Sequence, residues 1–443
     1  MKKGRWLIFG LLFSILIGIG FLKVGGASQP AKEGGAGGGG NFFSRSLSKK
    51  GASRAKSDAA LHEEKARKLE QKIVRLWEAQ LEKYPNLRCE RVSIEESEDA
   101  LWGIYQLGEE LGEEEISRLS KILGDFEGAD LDLAKTEAFL LEQENLFDSL
   151  KSVLSRSESS LERFSNGFVS AQPALTFQDL LLLEARVAMS KGEEERMVEA
   201  LRWNESLEKA FDGPENTLIV ESIRILLDVT NHRTIAENIL PQASSESREE
   251  LAVLLERRDY SPSSLAQVYR SELDFLMRNL SSLAFADSDA SNGINNSMID
   301  GFVRDEVLLE AVKTVAQSWN ERIELLEEVS ISAFFEGKSL SVVTPDFEHE
   351  EARSIFEGIS LHSSAWERGT GRAAASAEQA LAAVEIIERE AGGEVFSGQI
   401  TTETVNPVTG EPFLFDAETR EVRADQAFQR TGLLPPLSLL GEP

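Results

Sequence analysis

The segment TFQDLLLLEARVAMSKGEEERMVEALRWNESLEKAFDG, residues 176–213, sets the architecture of this chain. Thr176 is a favourable helix N-cap and Gly192 a favourable stop, and a second apolar-periodic stretch follows until Gly213 and Pro214 close it. Two helical patterns separated by so short a turn predict an antiparallel helical hairpin.

The small residues of this hairpin have the spacing of tetratricopeptide-type (TPR) hairpins. They are Ala185, Ala188, Gly192 and Ala200. No second copy recurs at a fixed period, although a repeat array requires one. The sequence therefore predicts a mainly α fold with a TPR-like but non-repeating body.

Other helical patterns extend this body on both sides. The next one, NTLIVESIRILLDV at 216–229, is apolar around most of its circumference. It is therefore predicted to be the most buried helix, with Leu226 in the core. Further on, RAAASAEQALAAVEIIEREAGG at 372–393 predicts an Ala-rich helix that ends at two glycines.

A short β element follows the Ala-rich helix. In VNPVTGEPFLFDAETREVRA, residues 405–424, apolar residues alternate between two turns, and Pro407 with Gly410 forms the first turn. A lone hairpin is marginal in water, so its apolar residues need a surface to cover. These residues are Phe413, Phe415 and Val422. We predict a two-stranded hairpin near 411–424 that lies as a lid on the Ala-rich helix.

The N-terminal residues indicate a membrane segment. Residues 1–5 are basic, and residues 6–22 carry no charge over about 17 positions, just enough for a helix to span a bilayer core. The positive flank predicts a cytoplasmic start and an exported body. Two interpretations stay open: an uncleaved anchor, or a signal peptide cleaved after Ala27, which would release the body into the periplasm.

Within this segment Gly10, Ser14 and Gly18 are four residues apart and form one small-residue stripe, which lets membrane helices approach closely. The Gly-rich, basic residues 23–56 predict a flexible tether. The predicted plan continues with an acidic helical domain at 57–286, a linker at 287–297 and a C-terminal helical domain at 298–443.

Charge and cysteine content exclude several classes of function. The chain has 76 acidic and 47 basic residues and a formal charge of -29, so it repels nucleic acid. Cys89 is the only cysteine, which excludes an intramolecular disulfide and a cysteine-based metal site.

Motifs for chemistry are incomplete. FEGKS at 335–339 has the Gly-Lys-Ser of a phosphate loop, but Ser332 replaces the first glycine. His349 lacks a second histidine four residues on, and no G-x-S-x-G elbow occurs. Adjacent carboxylates such as Glu193 and Glu194 are too common here to mark an acid–base pair. We therefore predict no catalytic, cofactor-binding or metal-binding residue, and no cofactor.

The stretches LLLLEARVAMSKGEEERMVEALRWNESLEKAF and TLIVESIRILLDV, together with NPVTGEP near the end, carry a family resemblance. The chain resembles uncharacterised bacterial envelope proteins with one N-terminal membrane segment, a helical body and a C-terminal "DP-G-P" hairpin. Asn406 stands where that pattern has Asp. The helix-plus-hairpin ending is also similar to the tail of type II secretion pseudopilins, although a glycine tether interrupts the N-terminal helix here.

Two functions follow as expectations. The first is a non-enzymatic, membrane-tethered, single-pass helical scaffold or protein-interaction module on the extracytoplasmic (periplasmic) side. Its partner is a protein of unknown identity, and formation of a homo-oligomer stays open. The alternative is an exported hydrolase with a carboxylate-based active site.

Overall fold

The computed structural model describes residues 67–89, 91–126, 132–164, 169–213, 215–256, 260–286, 304–330, 345–359, 364–425, 428 and 434–439. The predicted membrane segment 6–22 with its small-residue stripe, the predicted tether 23–56, the predicted linker 287–297 and the FEGKS motif lie outside these residues. Within the described ranges, no helix is both long enough and apolar enough to cross a membrane.

Most of the described chain is helical. The helices are 67–83 (α1), Ala100–Asp125 (α2), Leu133–Glu142 (α3), Glu144–Leu154 (α4), Ala171–Ser190 (α5), Glu194–Lys209 (α6), Leu218–Thr234 (α7), Ser245–Leu255 (α8), Pro262–Ala286 (α9), Asp305–Glu328 (α10), Glu350–Ile359 (α11) and Ser364–Ala391 (α12). A π-turn at Ile235–Ile239 and a 3-10 turn at Leu240–Gln242 continue α7.

The predicted helical hairpin is confirmed as α5 and α6. Gly192 has φ 71° and ends α5, and the backbone N–H of Glu193 returns to the Ala188 carbonyl at 2.9 Å. The predicted start was wrong, because α5 begins at Ala171. Thr176 therefore lies inside the helix and is buried, and Pro173 is tolerated because it falls in the first turn.

The chain divides into two compact units that are both discontinuous in sequence. The larger contains Leu81–Leu276, Val315–Pro345 and Ser360–Pro443, and the smaller contains the described residues up to Gln80 with Met277–Thr314 and Asp346–Ile359. The division therefore differs from the sequence-based plan of one domain before the linker and one after it.

The core of the larger unit explains this difference. Met197 and Leu201 of α6 and Leu251 of α8 share one apolar cluster with Ala383 and Ile386 of α12. Alanines along α12 leave room for close packing, so this C-terminal helix lies on α7 and α8 and completes their core.

In α7, the helix predicted to be the most buried, the buried face is partly polar. Leu227 is fully buried, whereas Leu226 is only half-buried, so the assignment of Leu226 to the core was wrong. Glu221, Arg224 and Asp228 occupy the buried face of this helix instead. A pattern of apolar residues did not reveal them, because these charged side chains are buried by pairing with one another.

The C-terminal β element is a four-stranded antiparallel sheet in the order β1-β2-β3-β4. Its strands are Gln399–Val405 (β1), Pro412–Asp416 (β2), Glu421–Arg423 (β3) and Leu437–Ser438 (β4). The predicted two-stranded hairpin is confirmed as β2 and β3, which pair antiparallel, but β1 and β4 extend it to a four-stranded sheet that the sequence did not predict. The polar sequence of β1 gives no alternating apolar signal, because Thr402 is its one fully buried residue.

Strand β1 is fastened to α12 by a side chain. The Glu385 carboxylate accepts hydrogen bonds from the backbone N–H of Glu403 at 2.9 Å and from that of Thr404 at 3.0 Å. The Thr404 hydroxyl donates to the same carboxylate at 3.0 Å. One glutamate on the helix thus fixes the position of the first strand.

Candidate functional site

An open cleft lies beside the first turns of α2, in the larger unit. Its volume is about 660 Å³, and three segments of chain form it: the loop before α2, α2 itself and the loop after α4. Six polar residues line this α2 cleft: Glu95, Glu96, Ser97, Gln106, Arg156 and Arg163.

Asp99 joins the two loops of the α2 cleft. Its buried carboxylate accepts hydrogen bonds from the backbone N–H of Trp102 at 3.0 Å, which caps α2, and from that of Ser160 at 3.5 Å. The backbone N–H of Ala100 donates to the Glu158 carbonyl at 2.8 Å. Burial raises the pKa of Asp99, and the bonds to Trp102 and Ser160 oppose that rise.

Two guanidinium groups of the α2 cleft bind backbone carbonyls. Arg156 Nη1 donates to the carbonyls of Asp99 at 3.0 Å and Glu96 at 3.3 Å, and Arg163 Nη2 donates to that of Ile94 at 2.7 Å. Within the described residues neither guanidinium forms an ion pair with a carboxylate. A guanidinium has five N–H donors, so both groups keep donors for a ligand.

Glu96 is held in the ionised form. Its Oε1 accepts hydrogen bonds from Trp102 Nε1 at 3.1 Å and Gln106 Nε2 at 2.8 Å. These two bonds lower the pKa of Glu96, and the nearby Arg163 and Arg156 lower it a little further. Glu96 is therefore suited to accept hydrogen bonds and is poorly suited to donate a proton near neutral pH.

Gly103 allows the Arg156 guanidinium to lie against the backbone of α2. A Cβ atom at this position would be 2.5 Å from Arg156 Nη1 and 2.8 Å from Val153 Cγ1. Such distances are sterically forbidden, so any other residue here would displace Arg156. The cleft thus depends on two residues that are far apart in sequence.

A second polar group lies where the loop after Arg91 meets the loop before α7. The Glu215 carboxylate accepts hydrogen bonds from the backbone N–H of Val92 at 2.9 Å, from that of Leu161 at 3.2 Å and from the Ser160 hydroxyl at 3.0 Å. This carboxylate joins three segments of chain.

The cysteine is part of the same region. Cys89 Sγ lies 3.2 Å from Ser271 Oγ, and Arg91 Nη2 lies 2.5 Å from Asp274 Oδ2. Burial raises the pKa of the Cys89 thiol, and the contact with Ser271 offsets only part of that rise. Because the thiolate is the reactive form, Cys89 is a weak nucleophile at neutral pH.

A buried ionic network lies on α7. Arg224 donates to both carboxylate oxygens of Glu221, at 2.5 and 2.7 Å, and its Nη1 is 3.4 Å from Asp228 Oδ2. The Tyr260 hydroxyl donates to the same Asp228 oxygen at 2.8 Å. Burial raises the pKa of Glu221, and the Arg224 guanidinium opposes that rise. The network holds the start of α9 against α7.

Glu272 of α9 is another buried carboxyl group whose pKa is raised. It is buried, and its Oε2 accepts a hydrogen bond from the backbone N–H of Leu218 at 2.8 Å. Burial raises the pKa of Glu272 to about 7, and the bond from Leu218 opposes the rise. This carboxyl group therefore gains and loses its proton near neutral pH.

The described histidines and the glycosylation triplet at Asn204 take part in contacts within the fold. Within the described residues no group of His, Cys, Asp and Glu has the geometry of a metal site. His349 Nδ1 lies 2.6 Å from Glu310 Oε2 in the smaller unit, and His232 is buried in the larger unit. Asn204, the first residue of a glycosylation triplet, is fully buried and donates to Glu208 at 2.9 Å.

The residues predicted for the hairpin lie in the sheet and not in the α2 cleft. Pro407 and Gly410 (φ 73°) form the β1–β2 turn. Phe413, Phe415 and Val422 are fully buried in the cluster that contains Ile386 of α12. Sequence reasoning did not select Arg156 or Arg163, since no motif distinguishes them from other arginines.

Comparisons with protein-family models, with curated proteins and with solved structures found no match to this chain.

Proposed function

We propose that this chain is a membrane-tethered, extracytoplasmic helical scaffold or protein-interaction module. One observation carries the proposal: polar side chains of the larger unit join separate elements. The buried Asp99 and the half-buried Glu215 join loops, Glu272 caps α7 from another helix, and Tyr260, just before α9, donates to Asp228 of α7. Polar groups used in this way favour a rigid frame that presents its surface to partners.

The location rests on the sequence. Basic residues before the apolar segment 6–22 favour an exported body, and the Gly-rich residues 23–56 give that body a flexible attachment. The formal charge of -29 keeps such a body soluble and disfavours nucleic acid as a partner. The resemblance to single-anchor envelope proteins agrees with this proposal.

The hydrolase alternative has one point of support, because Glu95 and Glu96 both line the α2 cleft. A carboxylate hydrolase needs one carboxyl group whose pKa is raised, so that it can donate a proton. The pKa of Glu96 is lowered by the donors of Trp102 and Gln106. The geometry of this cleft therefore favours recognition over proton transfer.

Two measurements test the proposal. A reporter enzyme that is active only outside the cytoplasm should be active when fused after Pro443, and a cytoplasm-only reporter should be silent there. Crosslinking of the full chain in native membranes should then give a discrete adduct with a partner protein or with a second copy. Activity of the cytoplasmic reporter, or the absence of any discrete adduct, would refute the proposal.

A further inference from the structure

We propose that the α2 cleft is a binding site for a peptide carboxylate of the partner protein, an inference that rests on the proposed interaction function. The site would take an Asp or Glu side chain, or a free C-terminus, between the guanidinium groups of Arg156 and Arg163.

Arg156 and Arg163 differ from most other partly buried arginines of the described residues in the groups that they bind. The chain has far more carboxylates than cations, and most of its partly buried arginines are paired, as Arg196 is with Glu184 at 2.6 Å. Arg156 and Arg163 instead bind carbonyls, and no carboxylate of the described residues forms an ion pair with either. Two guanidinium groups that line one cleft without such a partner form an anion site.

The Arg156 side chain is fixed in place by its contacts. Its guanidinium touches the α2 backbone at Gly103 and donates to two carbonyls of the preceding loop. The group lies at the N-terminal end of α2, where the helix dipole is positive and adds to the attraction for an anion. A donor that is already oriented loses little conformational entropy when it binds a ligand.

The charges around the α2 cleft favour a carboxylate over a phosphate group as its ligand. Glu95 and Glu96 line the same cleft and repel a dianion more strongly than a monoanion. The formal charge of -29 also opposes approach to an anionic lipid surface. A peptide segment fits better, because its backbone N–H groups can donate to the Glu95 carboxylate while its own carboxylate binds the arginines.

Arginine-selective chemistry tests this inference on the full-length chain in detergent. Phenylglyoxal modifies accessible guanidinium groups, and mass spectrometry of the digested chain gives the rate at each arginine. The probes are the capped peptide acetyl-Gly-Asp-Gly-amide, its matched control acetyl-Gly-Asn-Gly-amide, and inorganic phosphate. Arg118, which is exposed and paired with Glu115, is the internal reference.

The Asp peptide should slow modification of Arg156 and Arg163 by about threefold when its concentration is about twice its Kd. The Asn peptide should have little effect, and Arg118 should be unaffected by both. Equal protection by the two peptides, protection by phosphate alone, or no reaction of either cleft arginine without a probe would each overturn the inference.

A variant gives an independent measurement. Arg163→Gln should weaken binding of the Asp peptide by about tenfold, because a charge-assisted bond is lost. Arg118→Gln, which removes the same charge elsewhere on the unit, should not weaken it. If Arg163→Gln still crosslinks the same partner in membranes as efficiently as wild type, the cleft is not the contact, and the wider interaction function stands.

Discussion

Glu272 caps a helix to which it does not belong. The backbone N–H of Leu218, the first residue of α7, donates to Glu272 Oε2 at 2.8 Å across 54 residues of sequence. The local N-cap residue, Thr217, makes no side-chain cap bond. A carboxylate at a helix N-terminus is favourable, but this one is buried, so its charged form also carries a desolvation cost.

The stability of the protein should therefore depend on the protonation of Glu272. Its pKa is about 7 in the folded protein against an ordinary value of 4.5. The folded state then holds a proton that the unfolded state has lost, so stability falls as pH rises from about 4.5 to about 7 and stays lower above that. The full effect is up to about 3 kcal/mol.

Glu272→Gln keeps the acceptor and removes the titration. We expect the free energy of unfolding of wild type to fall more than that of the variant when the pH is raised from 5 to 8. Urea unfolding at both pH values measures this difference. An identical pH dependence in the two proteins would show that Glu272 does not titrate in this range.

Leu226 and Leu227 are neighbours on α7 but differ in burial, so their truncation should differ in cost. Leu227→Ala should cost about 2–5 kcal/mol of unfolding free energy, because this side chain is fully buried. Leu226→Ala removes the same atoms from a half-buried position and should cost clearly less. Thermal melts of both variants check this difference, and equal shifts would contradict the assignment of the buried face.

The ionic network of α7 should be costly to break. Arg224→Met leaves Glu221 and Asp228 buried without their cation and should cost about 3–5 kcal/mol near pH 7. The cost should shrink at acidic pH, because burial raises the pKa of Glu221 and this carboxyl group then becomes protonated. Arg118→Met, which breaks an exposed pair with Glu115, is the matched control and should change stability far less. Similar losses in both variants would argue against a special role for the network.

Alternation along β2 gives a further prediction. Phe415 is fully buried and Leu414 is half-buried. Phe415→Ala should cost about 3–5 kcal/mol, because the ring fills space between the sheet and α12. Leu414→Ala should cost less in the same denaturant titration. A larger loss for Leu414 would mean that the sheet presents its other face to the helix.

The helical hairpin was predictable because local signals agree along it. The 3.6-residue period of α5 and α6 and the positive φ of Gly192 are properties of neighbouring residues. The alternation of Phe413 and Phe415 likewise predicted a strand. Strand β1 was missed, because Thr402 alone is fully buried and its stability comes from Glu385 and from pairing with β2.

The α2 cleft and Glu272 could not be predicted from the sequence, because both depend, as β1 does, on contacts between distant residues. Arg156 and the loop carbonyls of Glu96 and Asp99 are about 60 residues apart, and only the fold brings them together. Glu272 likewise has an ordinary sequence context, and its raised pKa results from burial against α7. Chemistry that depends on long-range packing leaves no short motif.

The bond between Glu385 and strand β1 has a consequence for the behaviour of the protein at high concentration. A sheet that ends in an open strand can recruit another strand from a neighbouring molecule, and aggregates grow in this way. Here the Glu385 carboxylate occupies the amide groups of Glu403 and Thr404 on the terminal strand. An incoming chain would have to displace a charged group before it could pair there. This single glutamate therefore obstructs strand addition at Glu403 and Thr404 of β1, at one of the two edges of the sheet.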